Sequence, residues 1–345
     1  MFNKKKLVSA VISAALCCSA LTALPAQATC YTSYSYVYGV NDTFGDSKLY
    51  SMQGMAVGTS YIYCAKVTTD NTKAAITRYN ISDNKNYQLK YIDQNGKSHD
   101  YFTKDLGHAN DMFAHAENGK TYLYVATGCG SDTKKDPTQY QLVKLKVDGK
   151  KIYKVGQYTV QNSSRTKISF SGITYLGTSG NNLKILVKKG SQAYYFTLNQ
   201  YCTSATLNAT PVFMIDTANV KINGKNYTMN LDSKNGTHSY QGMHYTKGKL
   251  YVPISKNKSS ESVVIVYDNI STKINNALNG KANGKQIAYS SNTLSFKVTN
   301  SYYNSLFEIE SVGINDNGMY FNTNSQRNGN GNNADAVYKF DSFKA

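Results

Sequence analysis

The chain has 345 residues, of which 38 are Lys or Arg and 21 are Asp or Glu, for a formal charge of +17 at neutral pH. Apolar residues make up 41% of it, with 30 Tyr and only four Pro, which excludes a disordered or low-complexity chain. The basic residues are scattered, without an Arg-rich run or a nucleic-acid motif, so no nucleic-acid partner is expected and the positive field points to other polyanions.

Residues 1–28 read as a signal peptide. Lys4, Lys5 and Lys6 form a positive start, residues 7–24 an apolar run, and Ala26-Gln27-Ala28 a small-residue cleavage site. The expectation is a secreted, extracellular protein with a single domain over residues 29–345. No other segment reaches the roughly 20 apolar residues that a transmembrane helix needs, so no membrane span is expected. Loss of the three leader lysines lowers the formal charge to +14. Teichoic acids and other glycans of a bacterial envelope are the expected partners, and the oligomeric state is left open. Cys30, Cys64, Cys129 and Cys202 remain, an even number that permits two disulfides with three connectivities in an oxidising compartment. Free buried thiols are the alternative, and no pair has metal-ligand spacing. No metal or cofactor motif is present.

After the leader, Tyr, Val, Ile and Thr alternate with clusters of Asn, Gly, Asp and Ser, and helical spacing is nowhere sustained. An almost entirely β chain is expected. Residues 34–40 form a Tyr-rich strand without an obvious local partner. Five units follow, opening on Gln53-Gly54-Met55, Asn110-Asp111-Met112, Ser171-Gly172-Ile173, Gln241-Gly242-Met243 and Glu310-Ser311-Val312, at separations of 57, 61, 70 and 69 residues. Each opening motif is followed by an apolar strand, at residues 61–65, 122–126, 183–187, 250–254 and 319–321. A third run follows at 74–79, 141–145, 193–196, 263–267 and 336–340, and fourth runs lie near Leu89, Tyr158, Phe213 and Phe296. The last unit has no fourth run. A repeat of this kind predicts a five-bladed β-propeller, with the N-terminal strand closing the fifth blade so that no raw sheet edge remains.

In a propeller the first strand of each blade faces the axis, which makes Gln53, Asn110, Ser171, Gln241 and Glu310 a polar ring. Ser51, His108, Ser169, Ser239 and Glu308 stand two residues earlier. Such a ring either binds a ligand or merely bonds trapped water. Glu308, Glu310 and Asp111 are the candidate catalytic carboxylates for glycoside hydrolysis, which needs an acid and a base or nucleophile about a sugar bond. His108 and His244 are candidate proton-transfer or ligand-binding groups beside Gln53, Asn110, Ser171 and Gln241. One member of each of the pairs Tyr194-Tyr195 and Tyr302-Tyr303 is placed for exposure and stacking on sugar. Nucleophile elbows, phosphate loops and two-His metal motifs are missing from the sequence.

The segments Gln53-Gly54-Met55, Gly107-His108-Ala109-Asn110, Tyr240-Gln241-Gly242-Met243 and Glu308-Ile309-Glu310-Ser311 resemble those of the helveticin J-like bacteriocins. That resemblance implies a secreted antibacterial protein of propeller-like build that acts on the envelope of competing bacteria; it establishes no reaction, and the enzyme that the residues would allow is a carboxylate-based glycoside hydrolase. The conventional leader and the abundance of Lys and Tyr depart from it. A propeller glycosidase and a non-toxic, lectin-like carbohydrate-binding module are the other two readings, and the residues alone do not separate them.

Overall fold

The computed structural model describes residues 33–128, 138–222, 224–232, 235–291, 293–328 and 330–343. The leader, Cys30 and Cys129 lie outside the described residues. The fold is all-β and propeller-like. Its larger sheets follow the sequence units. The first runs Ser51–Val57, Tyr61–Val67, Lys73–Asn80 and then Lys85–Gln88 or Phe102–Thr103. The second runs Asp111–Glu117, Lys120–Ala126, Leu142–Asp148 and Lys151–Gln161. Gly172–Ser179, Asn182–Lys189, Gln192–Asn199 and Thr210–Ile215 make the third. In the fourth the opening strand is broken into His238–Tyr240 and His244–Thr246, both paired with Lys249–Lys256, before Glu261–Tyr267 and Phe296–Thr299.

The fifth sheet runs Leu306–Asn315, Gly318–Arg327, Ala336–Phe340 and ends on Tyr34–Gly39. The last pair is antiparallel, with Tyr34 opposite Phe340 and Gly39 opposite Ala336. The Tyr34 ring packs edge-on to Phe321, Tyr338 and Phe340 and stacks on Phe307.

Apolar side chains fill the spaces between consecutive sheets. Ile76, Leu123 and Val143 lie between the first and second, Tyr124, Ile185 and Phe196 between the second and third, and Leu186, Val252 and Ile265 between the third and fourth. Val264, Phe307 and Phe321 separate the fourth from the fifth, and Tyr38, Met52 and Tyr320 the fifth from the first. A sheet covered on both faces buries both sides of its middle strands, which is why the second runs of the sequence are continuous apolar stretches rather than alternating ones. All but Tyr61 of Tyr61–Val67 is buried.

Hydrogen bonds tie neighbouring units together at and beside the opening strands. Gly54 N donates to Ala109 O, Tyr245 N to Thr174 Oγ1, Gly242 N to Glu310 O, and Asn322 Nδ2 to Gln53 O. Lys66, wholly buried, adds an ion pair with Asp335 at 2.9 Å and another with Asp42, and Asp335 also accepts from the Met52 and Ser325 amides. Cys64 and Cys202 are free thiols. Cys64 meets the Tyr38 hydroxyl at 3.3 Å, and burial pushes its thiol up to about 12, so it is a core residue without reactive character.

The chain is almost wholly β, as expected, and among the described residues it carries a helix at Ile270–Leu278. Its Ile270 and Ile274 are buried against the third and fourth sheets. Among the described residues no helix is long and apolar enough to cross a membrane.

Candidate functional site

The axis is narrowest where the opening strands crowd together. A Cβ on Gly54 would stand 2.7 Å from Asp111 Cα, and one on Gly242 would stand 2.7 Å from the Asp111 carboxyl and 2.5 Å from Ser311 Oγ. Glycine is required at both places by this close approach. Asp111 reaches across the gap. Its Oδ2 accepts from the amides of Ile173 and Met243, both at 2.9 Å, and its Oδ1 from the Ser311 hydroxyl at 2.7 Å. Burial pushes its carboxyl up to about 7 against these three bonds, which favour the ionised form. The catalytic role expected of Asp111 therefore gives way to a structural one: it pins the second unit to the third, fourth and fifth.

On the side of this constriction where the opening strands begin, His108, Asn110, Ser171, Gln241 and Glu308 are partly exposed, while Gln53 and Glu310 are buried. All seven belong to the polar positions that the sequence sets at the starts of the opening strands, and this side of the axis is the axial mouth. Gln241 Nε2 donates to Glu308 Oε1 at 2.6 Å, joining the fourth unit to the fifth. The Glu308 and Glu310 carboxyls are hydrogen-bonded to each other. Two carboxyls in contact cannot both be ionised, so one proton is shared between them. Both are raised from the usual carboxylate range, chiefly by burial, and Glu310 is raised further by the charges of Glu308 and Asp335. The partly exposed Glu308 sits beside the buried Glu310, the carboxyl of the two that burial and neighbouring charge favour most in its protonated form.

His108 is oriented by Asn71, whose Oδ1 lies 2.7 Å from its Nδ1. Burial lowers its pKa, so the ring is neutral, with the Nδ1 proton donated to Asn71 and Nε2 left as an acceptor. Lys188 was not among the residues singled out from the sequence. It is the last but one residue of Asn182–Lys189, the second strand of the third unit, is wholly buried, and donates to Ser171 Oγ at 3.1 Å. Its signal in the sequence was a lysine at the end of an apolar strand, shared with Lys66, which reads as a solvated strand end.

His244 does not join this group. The opening strand of the fourth unit passes the constriction at Gly242, and His244 emerges on the opposite side. There it lines a depression of about 250 Å³ with Met55, Phe113, Tyr175 and Tyr245. Burial holds its imidazole down at about 4, so it is neutral there. Of the tyrosine pairs, Tyr302 is exposed, with the Arg327 guanidinium 4.2 Å from its ring, whereas Tyr194 and Tyr195 are both half-buried. Among the described residues no group of three or more His, Cys, Asp or Glu side chains is placed to hold a metal ion.

No family model matches the chain, and no curated protein matches it. Solved structures similar to it include the GH43 endo-arabinanase from Bacillus licheniformis, at 10% identity and a TM-score of 0.43, over 87% of this chain and 96% of that one. A thermostable family-43 glycoside hydrolase gives 9% and 0.45 over 88% and 91%. The GH43_1 enzyme from Xanthomonas citri gives 9% and 0.41 over 84% and 85%. At these values the likeness is one of overall fold. These structures are named as glycoside hydrolases and not as antibacterial proteins, and the expectation of an envelope-binding bacteriocin is not carried further.

Proposed function

We propose that the chain is a secreted glycan-processing hydrolase, a single five-bladed propeller closed by the strand Tyr34–Gly39, with the axial mouth as its active site. The observation that carries this reading is the proton-sharing pair Glu308–Glu310 beneath a rim of hydrogen-bonding side chains. A carboxylic acid whose pKa is raised by burial is what a glycosidic oxygen needs as its proton donor.

Carboxyls in direct contact leave no room for a sugar between them, so this pair is not the flanking arrangement with carboxyls roughly 5 to 9.5 Å apart. It acts as one unit on one side of the bond. The form that reacts carries a proton on each carboxyl: Glu308 gives its proton to the leaving oxygen as the C–O bond breaks, and Glu310 keeps its own and donates it in a hydrogen bond to the new Glu308 carboxylate, which leaves the pair with one shared proton. The attacking water gives its proton to Nε2 of neutral His108, which Asn71 holds in the required tautomer. Gln241 fixes Glu308, and Asn110 and Ser171 offer amide and hydroxyl groups to sugar hydroxyls.

The test is release of reducing sugar from soluble arabinan, xylan and peptidoglycan fragments by the purified protein. Release that falls by roughly 100-fold or more in Glu310→Gln and in His108→Ala supports the assignment. Retention of glycan without any release by the unaltered protein would instead make it a binding module.

A further inference from the structure

We propose that Ser171 and Lys188 form a serine–lysine dyad for acyl transfer, directed at small ester substituents such as an O-acetyl group presented at the axial mouth. The case begins with how the other buried lysines are treated. Lys66 is paired with Asp335 and Asp42, and Lys144 with Glu117 at 2.7 Å. Lys188 is as deeply buried as Lys66, yet among the described residues no carboxylate oxygen lies within ion-pair distance of its Nζ. Its polar partner is the Ser171 hydroxyl at 3.1 Å, and the Tyr240 ring lies 4.8 Å away. A buried ammonium left to a hydroxyl and a ring is costly, and the cost vanishes when the amine is neutral.

The geometry holds the pair rigidly. Ser171 N donates to Lys188 O at 3.0 Å, so the two residues sit on paired backbones. Gly172 makes space for the lysine stem, since a Cβ there would stand 3.3 Å from Lys188 Cε. Ser171 is partly exposed at the mouth and Lys188 is hidden behind it, which gives an accessible nucleophile and a desolvated base. Burial lowers the Lys188 pKa to about 7 against the pull of the Asp111 charge, and Tyr240 faces it only with its ring. Ser171 Oγ attacks the acyl carbonyl while its proton passes to the Lys188 amine. The ester C–O bond then breaks and the alcohol leaves with that proton. Water, deprotonated by the same amine, releases the acid and restores the serine.

The experiment treats the full chain with a fluorophosphonate probe, and separately with p-nitrophenyl acetate, and locates the modified residue by peptide mass spectrometry. The expected result is one adduct per chain on Ser171, absent in Ser171→Ala. Labelling should rise from pH 6 to pH 8 as the amine loses its proton, and fall by roughly 100-fold in Lys188→Met. Gly172→Ala, which crowds the lysine stem without touching the serine, should lower labelling with Ser171 intact. These two readings on the native chain and on Gly172→Ala stand even where Lys188→Met does not fold. No adduct on Ser171, an adduct elsewhere, or labelling unchanged between pH 6 and 8 would overturn the dyad.

Discussion

At the scale of single residues, Asp111 carries the clearest stability argument. Both of its backbone donors bond to the same oxygen, and Ser311 bonds to the other as a hydroxyl that can also accept. Asn fits this pattern, with its carbonyl in place of Oδ2 and its amide donating to Ser311. Asp111→Asn is therefore expected to retain stability, whereas Asp111→Ala orphans two buried amides and is expected to cost more than about 2 kcal/mol, at roughly 1 to 3 for each buried group left unpaired. Denaturant unfolding of both variants checks this. The pH dependence follows from the same group and its neighbours. Asp111 is raised to about 7 and Asp335 to about 6, while Glu310 is raised as well, all mainly by burial. Through these carboxyls the folded chain holds protons that the unfolded chain releases, so their contribution to stability falls as pH rises from about 4 to about 7. The buried histidines work in the opposite sense over the same range, His244 above all, since its folded pKa is depressed to about 4, and Lys188, depressed to about 7, adds stability only above that pH. The carboxyl contribution is therefore read by difference: stability relative to Asp111→Asn should fall for the unaltered protein between pH 4 and 7. A difference between the two that is independent of pH over that range would contradict the assignment for Asp111. The sequence could name Asp111 as a carboxylate near the axis, but not as a pin. Its partners come from units about 60, 130 and 200 residues away, and nothing local to the residue announces them.

At the scale of elements, the strand Tyr34–Gly39 is the most exacting test of how the ring is joined. It completes the sheet of Ala336–Phe340 and brings the Tyr34 ring onto four aromatic side chains. Its removal should cost more than about 3 kcal/mol, comparable with truncating one large core aromatic, and should open the amides of Ala336–Phe340 to hydrogen exchange. Full protection of those amides in the truncated chain would show that the strand is dispensable. The sequence points to this strand because the last unit lacks a fourth run while residues 34–40 offer a spare one, and the strand does pair with Ala336–Phe340. The helix Ile270–Leu278 was not legible: Ile270, Ile274, Ala277 and Leu278 have helical spacing, but nine residues rich in Ser, Thr and Asn are too few for that period to stand out. His244 was grouped with the mouth because it follows a repeated motif. The step from Gly242 to His244 crosses the constriction, and a repeat register shows which residues are equivalent without showing where the axis closes.

At the scale of the molecule, the repeat was readable because each unit must bury both faces of its sheet against its neighbours, which imposes the same order of apolar runs five times. The chemistry at the axis was readable only in part. Glu308 and Glu310 stand out as the acidic members of an otherwise uncharged ring, but their contact, and so their shared proton, is a property of the folded mouth. Lys188 enters the same region from a second strand, where its burial has no counterpart in the local sequence. The central claim is that this proton-sharing pair breaks glycosidic bonds, and it is tested most directly by comparing the unaltered protein with Glu310→Gln on a panel of soluble glycans, with the melting temperature of each measured alongside. The account predicts release of reducing sugar by the unaltered protein, a loss of roughly 100-fold or more in Glu310→Gln, and a melting temperature for the variant that is not lowered, since a buried carboxyl has been replaced by a neutral amide of the same shape. Sugar release by Glu310→Gln equal to that of the unaltered protein, or no release from any glycan by either, would contradict it.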